Sequence, residues 1–232
     1  MSYKTVCVAG GGVLGSQIAF QAAYCGFDVT IWLRSEGSIG RTQPKIDHVR
    51  EEYIAAIEGM ADGTGEWCAG IADSGQPFDK EAALAAVECA YSTLKLELDL
   101  AKAVADADLV IESMAEDTQA KIDFYKKLAP VLPQKTVVVT NSSTLLPSTF
   151  AKYTGRPEKY LSLHFANSIW KNNMTEVMAQ DQTDKRYFDE LVDFANDIRM
   201  LALPVNKEKN GYLLNSMLVH GCFRASTCMS RA

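Results

Sequence analysis

Thr5-Val6-Cys7-Val8-Ala9-Gly10-Gly11-Gly12-Val13-Leu14-Gly15 is the stretch on which the fold turns. Its first five residues are β-branched or small and apolar, Leu14 to Cys25 reads as a helix of small residues stopped by Gly26, and Asp28 to Leu33 is apolar again. Gly10, Gly12 and Gly15 hold the first, third and sixth places of the turn that joins strand to helix. A first glycine permits the tight turn, a second lets backbone come close to a pyrophosphate, and a third lets helix lie against strand. The backbone N–H groups of the helix start, at Val13 and Leu14, face the same anion. In a strand–helix–strand unit of this size the pattern predicts dinucleotide binding.

The same pattern expects an acidic residue about 20 positions on, to hold the adenosine ribose hydroxyls. Here the second strand ends Ile31-Trp32-Leu33-Arg34-Ser35, with Leu33 where the carboxylate belongs. A guanidinium at Arg34 can pair with a 2′-phosphate, and the missing acid removes the repulsion that would exclude one. NADP is thus favoured over NAD. The other reading leaves Arg34 in water and gives the ribose to Glu36.

Outward from this unit, short apolar strands alternate with helices, the pattern of a Rossmann-type, doubly wound α/β sheet. Leu94, Leu96, Leu98 and Leu100 alternate as a half-buried strand, Leu109-Val110-Ile111 is a buried one, and Thr136–Thr140, Tyr160–Leu163, Thr175–Ala179 and Leu201–Val205 follow. Helices are expected around Ile122–Leu132 and Tyr187–Ile198. An insertion over about 42–91 reads as a helical hairpin standing off the sheet, its first helix starting at Thr42-Pro44 and its second at Asp79. Residues 1–205 form the dinucleotide-binding domain in this reading, and 206–232 a short C-terminal helical segment.

Composition sets outer limits. With 232 residues, 47% of them hydrophobic and 22% charged, and no run near the roughly 20 apolar residues a membrane span needs, the chain reads as a soluble globular protein. A net charge of -6 argues against nucleic-acid binding by phosphate neutralisation. The opening residues lack a signal-peptide pattern, which predicts a cytoplasmic protein. Six scattered cysteines without a Cys-x-x-Cys pair, and only three histidines, predict reduced thiols and no metal site.

Among those histidines, His164 alone sits at the mouth of a predicted strand. Histidine as a residue type titrates near neutrality, which suits a base that takes a hydroxyl proton while hydride leaves the same carbon. Glu176, on the next strand, can accept from the other ring nitrogen and fix the tautomer. Ser143 lies just beyond the Thr136–Thr140 strand, at the carboxyl ends where ligands of such sheets sit, and can donate to a developing oxyanion. Its alternative is to cap a short helix over Pro147–Lys152.

Five ordered blocks, Val8-Ala9-Gly10-Gly11-Gly12-Val13-Leu14-Gly15, Asn141-Ser142-Ser143-Thr144-Leu145, Leu163-His164-Phe165-Ala166-Asn167, Thr175-Glu176-Val177-Met178 and Gly211-Tyr212-Leu213-Leu214-Asn215, span nearly the whole chain. Together they resemble the 3-hydroxyacyl-CoA dehydrogenase family, including the bacterial 3-hydroxybutyryl-CoA dehydrogenases. The resemblance implies NAD(P)-dependent oxidation of a short-chain 3-hydroxyacyl-CoA in fatty acid or butanoate metabolism. It implies an asparagine, Asn215, at the substrate oxygen, with Glu116, Lys121, Asn141 and Asn167 around the nicotinamide ribose. The hairpin corresponds to the family's coenzyme A site, where Lys45, Arg50 and Lys80 are candidates for the nucleotide phosphates. A dehydrogenase of a free hydroxy acid, or a nucleotide-binding module without turnover, are the alternatives.

Two departures stand out. The family continues into a multi-helix C-terminal domain that forms a homodimer, whereas the sequence after Val219 turns Ser-, Cys- and Arg-rich, as a truncation or frameshift would produce. Ser168 also replaces the proline that usually follows the family's asparagine.

Overall fold

The computed structural model describes residues 3–205 together with Lys207 and Glu208. The chain runs β1 (Thr5–Ala9), α1 (Val13–Tyr24), β2 (Asp28–Trp32), α2 (Glu36–Asp62), α3 (Lys80–Thr93), β3 (Lys95–Glu97) and α4 (Leu100–Val104). It continues through β4 (Leu109–Glu112), α5 (Thr118–Leu128), β5 (Val137–Thr140), β6 (Tyr160–Phe165), β7 (Met174–Met178), α6 (Lys185–Asp197) and β8 (Leu201–Val205). All eight strands join one sheet in the order β3-β2-β1-β4-β5-β6-β7-β8. The first six are parallel, β7 runs antiparallel to β6, and β8 is parallel to β7. Strand order reverses between β1 and β4, which makes the crevice above their carboxyl ends the topological switch point.

Strand parity explains both the core and the site. Val6, Val8, Leu109, Ile111, Val137, Val139, Leu161 and Leu163 enter one apolar cluster, whereas Cys7, Val110, Val138 and Tyr160 enter a second on the opposite face. By the same alternation Glu112, Thr140, Ser162, His164 and Glu176 share the second face, so a polar stripe crosses it near the strands' carboxyl ends. The sheet is covered on both sides, as parallel sheets require. Burial pushes the Cys7 thiol up to about 12 and that of Cys25 to about 11, which keeps both protonated and unreactive. Cys68 and Cys89 are also free thiols.

Three expectations need correction. The first hairpin helix begins at Glu36 rather than at Thr42, and Pro44 lies inside it. An interior proline costs about 3 kcal/mol, but α2 also buries Thr42, Ile46, Val49, Tyr53, Ile57 and Met60, and that packing carries the helix through. Nor does the hairpin stand apart: Ile46, Val49, Tyr53, Val87 and Ala90 belong to the main core, and the Tyr53 ring lies 5.0 Å from that of Phe20 on α1. Finally, the strand predicted through Leu100 stops at Glu97. Asp99 there accepts the Ala101 and Lys102 N–H groups at 2.9 and 3.2 Å and starts α4 instead. Asn215 and nearly all of the 206–232 segment lie outside the described residues.

Candidate active site

The glycine turn closes on its neighbours. Gly10 has φ +119°, and a Cβ there would come within 2.5 Å of the Ser113 carbonyl oxygen; a Cβ on Gly15 would reach 2.1 Å from the Gly10 oxygen. At Gly12 a Cβ would meet nothing within 4 Å, and no side chain caps α1 at this residue. The N–H groups of Val13 and Leu14 therefore begin a helix behind open space, the arrangement that receives an anion. Gly11 is constrained for a reason the spacing did not reveal: a Cβ would strike the Thr42 hydroxyl at 2.1 Å, where Thr42 donates to the Gly11 carbonyl at 3.1 Å and docks α2 on the turn. Gly10, Gly12, Leu33, Arg34, Ser113 and Met114 are among the residues lining a cleft of about 300 Å³ here.

From Ser113 the site continues across the switch point. Asn141 donates to the Ser113 hydroxyl at 3.3 Å and accepts the Phe165 N–H at 3.1 Å, linking β4, β5 and β6. Phe165 follows His164, and the antiparallel register sets His164 directly opposite Glu176. Glu176 Oε2 lies 2.9 Å from His164 Nδ1, and the Ser143 hydroxyl lies 3.2 Å from Nε2. Glu176 is fully buried and His164 nearly so. No described helix is capped by Ser143: the 3₁₀ turns at Pro147–Thr149 and Ala151–Tyr153 have no side-chain cap. Three of the four residues expected to carry the chemistry, His164, Glu176 and Ser143, are thus in one hydrogen-bonded row.

Behind that row stands a buried ionic cluster that the sequence concealed. Lys121, which the resemblance places at the nicotinamide ribose, is fully buried with Nζ 2.6 and 2.8 Å from the Glu112 carboxylate. Glu112 also accepts from the Tyr125 hydroxyl at 3.0 Å, Thr140 Oγ1 at 2.8 Å and the Met114 N–H at 2.8 Å. The Tyr125 hydroxyl, buried beside that carboxylate, titrates well above its ordinary range. Glu116 lies 3.9 Å from Lys121 and accepts from the Ser142 hydroxyl at 2.7 Å and the Ser143 N–H at 2.5 Å. It therefore holds the backbone that aims Ser143 at His164. Asn167 is exposed, and its carbonyl accepts from Asn172 at 2.8 Å. The next residue, Ser168, has φ +54°, a value closed to the proline that the resemblance places there.

The three coenzyme A candidates part company. Arg50 pairs with Glu88 across α2 and α3 and lies 5.0 Å from the Tyr91 ring centre. Lys45 lines the glycine-turn cleft, and Lys80 opens α3 at the far end of the hairpin. A larger cleft of about 630 Å³, bordered by Tyr24, Cys25, Asp73 and Arg199, contains none of the site residues. Among the described residues no group of histidines, cysteines and carboxylates could hold a metal ion. No described helix is long and apolar enough to cross a membrane.

Comparison with known proteins accords with this geometry. The family described as 3-hydroxyacyl-CoA dehydrogenase, NAD binding domain, matches residues 5–209. The 3-hydroxybutyryl-CoA dehydrogenase of Clostridioides difficile is 28% identical over 214 residues, 92% of this chain and 67% of the relative. Human mitochondrial hydroxyacyl-coenzyme A dehydrogenase is 28% identical over 217 residues, 93% of this chain and 63% of the relative. The chain thus spans about two thirds of the length of these relatives. A solved diketoreductase, described as catalysing reactions of dicarbonyl compounds, is 41% identical with a TM-score of 0.75, covering 95% of this chain and 70% of its own. The (S)-3-hydroxybutyryl-CoA dehydrogenase of Ralstonia eutropha, at 19% identity and a TM-score of 0.74 over 93% of this chain and 68% of its own, shares the fold. Glycine turn, strand order and these matches lead to one assignment: the chain belongs to the 3-hydroxyacyl-CoA dehydrogenase family.

Proposed function

We propose that the chain transfers hydride reversibly between a nicotinamide dinucleotide and C3 of a short-chain 3-hydroxyacyl-CoA, producing the 3-oxo thioester. The row Glu176–His164–Ser143 is the observation that carries this reading. Bound dinucleotide supplies the hydride acceptor. His164 Nε2 takes the C3 hydroxyl proton as hydride leaves C3, and Glu176 accepts the Nδ1–H and stabilises the imidazolium that results. Ser143 donates to the C3 oxygen, joined by Asn215 as the resemblance implies. In reduction the imidazolium returns its proton to that oxygen. Gly10, Gly12, Val13, Leu14 and Gly15 receive the pyrophosphate, while Glu116, Asn141 and Asn167 border the nicotinamide ribose, with Lys121 buried behind Glu116 rather than at the ribose itself. Arg34 and the missing acid at Leu33 favour the 2′-phosphorylated cofactor.

A second reading, reduction of a free dicarbonyl compound, is favoured by the 41% identity to the diketoreductase. The pairing of Arg50 with Glu88 points the same way, since it commits one of the basic residues that the thioester reading offers to coenzyme A. The test follows nicotinamide absorbance with acetoacetyl-CoA and with a free 1,3-dicarbonyl, each with NADPH and NADH, beside His164→Ala. Cofactor oxidation with acetoacetyl-CoA that falls at least about 10²-fold in the variant supports the thioester reaction. Turnover of the free dicarbonyl alone transfers the assignment to the second reading. Turnover indifferent to the substitution refutes His164 as the base.

A further inference from the structure

We infer that the first turns of α2 form a clamp for the 2′-phosphate of an adenine dinucleotide, built from Ser38, Arg41 and Lys45 with Arg34 at its rim. The inference rests on the dinucleotide reading of the glycine turn and names which dinucleotide the site is shaped for. Arg34, Ser38, Arg41 and Lys45 all line the cleft beside that turn, whereas Glu36, the acid that would otherwise serve the ribose, does not. Residues 38, 41 and 45 are spaced three and four apart, so they present one face of the helix to the cleft.

The cations are held in place but not neutralised. Arg41 Nη2 donates to the Ser38 hydroxyl at 3.0 Å, Ser38 lies 3.0 Å from the Ser35 hydroxyl, and Lys45 Nζ donates to the Arg41 carbonyl. Among the described residues no carboxylate pairs with Arg34, Arg41 or Lys45; other surface cations are unpaired too, but these three converge on one cleft. In a chain of net charge -6, three unpaired cations gathered at one cleft are a site for an anion. Leu33 completes the case. It is buried, and its Cδ2 would lie 2.8 Å from a Cβ on Gly11, so the position that normally binds two ribose hydroxyls through a carboxylate is filled with hydrocarbon. A dinucleotide with free hydroxyls would leave the cations unanswered and lose its usual acceptor. One with a 2′-phosphate satisfies both conditions.

Calorimetric titration of the full chain tests this without turnover. NADPH is expected to bind at least about tenfold more tightly than NADH, and 2′,5′-ADP more tightly than 5′-ADP. Arg41→Ala is expected to weaken NADPH and 2′,5′-ADP by about tenfold or more and NADH by less than about threefold. Equal affinity for the two dinucleotides, or tighter NADH, overturns the clamp and leaves the dehydrogenase reading standing. Equal weakening of both by Arg41→Ala assigns the cation to the shared pyrophosphate and also overturns it. If neither dinucleotide binds, the clamp falls together with the reading on which it rests.

Discussion

Replacing Glu176 by glutamine removes one charge from a fully buried position while keeping the side chain's shape. With Oε2 at 2.9 Å from Nδ1, the attraction between a carboxylate and an imidazolium is about 6 kcal/mol at an effective dielectric constant of about 20. That attraction exists only when His164 carries its second proton, in and after the transition state of alcohol oxidation, so it lowers the barrier rather than the ground state. Glutamine can still accept the Nδ1–H through its carbonyl, which leaves a net loss of about 3–4 kcal/mol, or about 10²–10³ in kcat. The assay is cofactor absorbance under saturating substrate, with cofactor affinity measured separately by calorimetry and the fold checked by thermal melting. The expected pattern is a fall in kcat with cofactor affinity unchanged within about twofold. In a His164→Ala background the same substitution should add almost nothing, because two residues acting as a unit are not additive. A kcat within about threefold of the parent, in a folded variant that binds cofactor, would refute the role given to the pair.

Three further outcomes follow from the structure. Lys121→Met leaves the Glu112 carboxylate buried without its cation and should cost about 3–5 kcal/mol, read as a fall of about 10 °C in Tm; Glu112→Gln combined with Lys121→Met should recover much of the loss. Ser168 at φ +54° predicts that Ser168→Pro destabilises by more than about 1 kcal/mol and Ser168→Gly does not, tested by urea denaturation. Asp108 anchors the start of β1 by accepting the Lys4 and Thr5 N–H groups at 2.8 and 3.0 Å and the Lys135 ammonium at 2.6 Å. Partial burial raises this carboxyl, but those three donors outweigh it and hold it below the usual carboxylate range. Its contribution is therefore complete above about pH 5 and lost as pH falls through the lowered value. Asp108→Asn should cost about 1 kcal/mol at neutral pH, and the gap between variant and parent should close in melts carried below about pH 4.

Local signals were legible wherever chain neighbours alone decide the structure. The glycine turn could be read because backbone space, helix start and ligand approach all fall within six consecutive residues. His164 and Glu176 could be paired because each ended or entered a strand that the next one had to adjoin. Pro44 misled for the opposite reason: a proline read in isolation starts a helix, and only the burial of Thr42 and Ile46 against distant residues carries α2 through it. Glu112 was invisible as a member of the site. Its strand reads as a short apolar run, and the partners that make a buried carboxylate tolerable, Lys121, Tyr125 and Thr140, come from two other elements. A signal was present in retrospect, an acid closing a buried strand followed nine residues on by a lysine on the inward face of a helix.

Because β7 returns antiparallel beside β6, backbone hydrogen bonds set the distance between His164 and Glu176, and the residues between the two strands do not. The segment 166–173 is anchored separately, with Ile169 and Trp170 buried in the main core, so its course and the acid–base register are fixed by different contacts. A slip of one residue would point Glu176 to the other face of the sheet, so the ladder tolerates no partial error. Proton chemistry is in this way an inheritance of the ladder: the acid–base pair is set by backbone register, whatever course the chain takes through Ser168 in its left-handed turn.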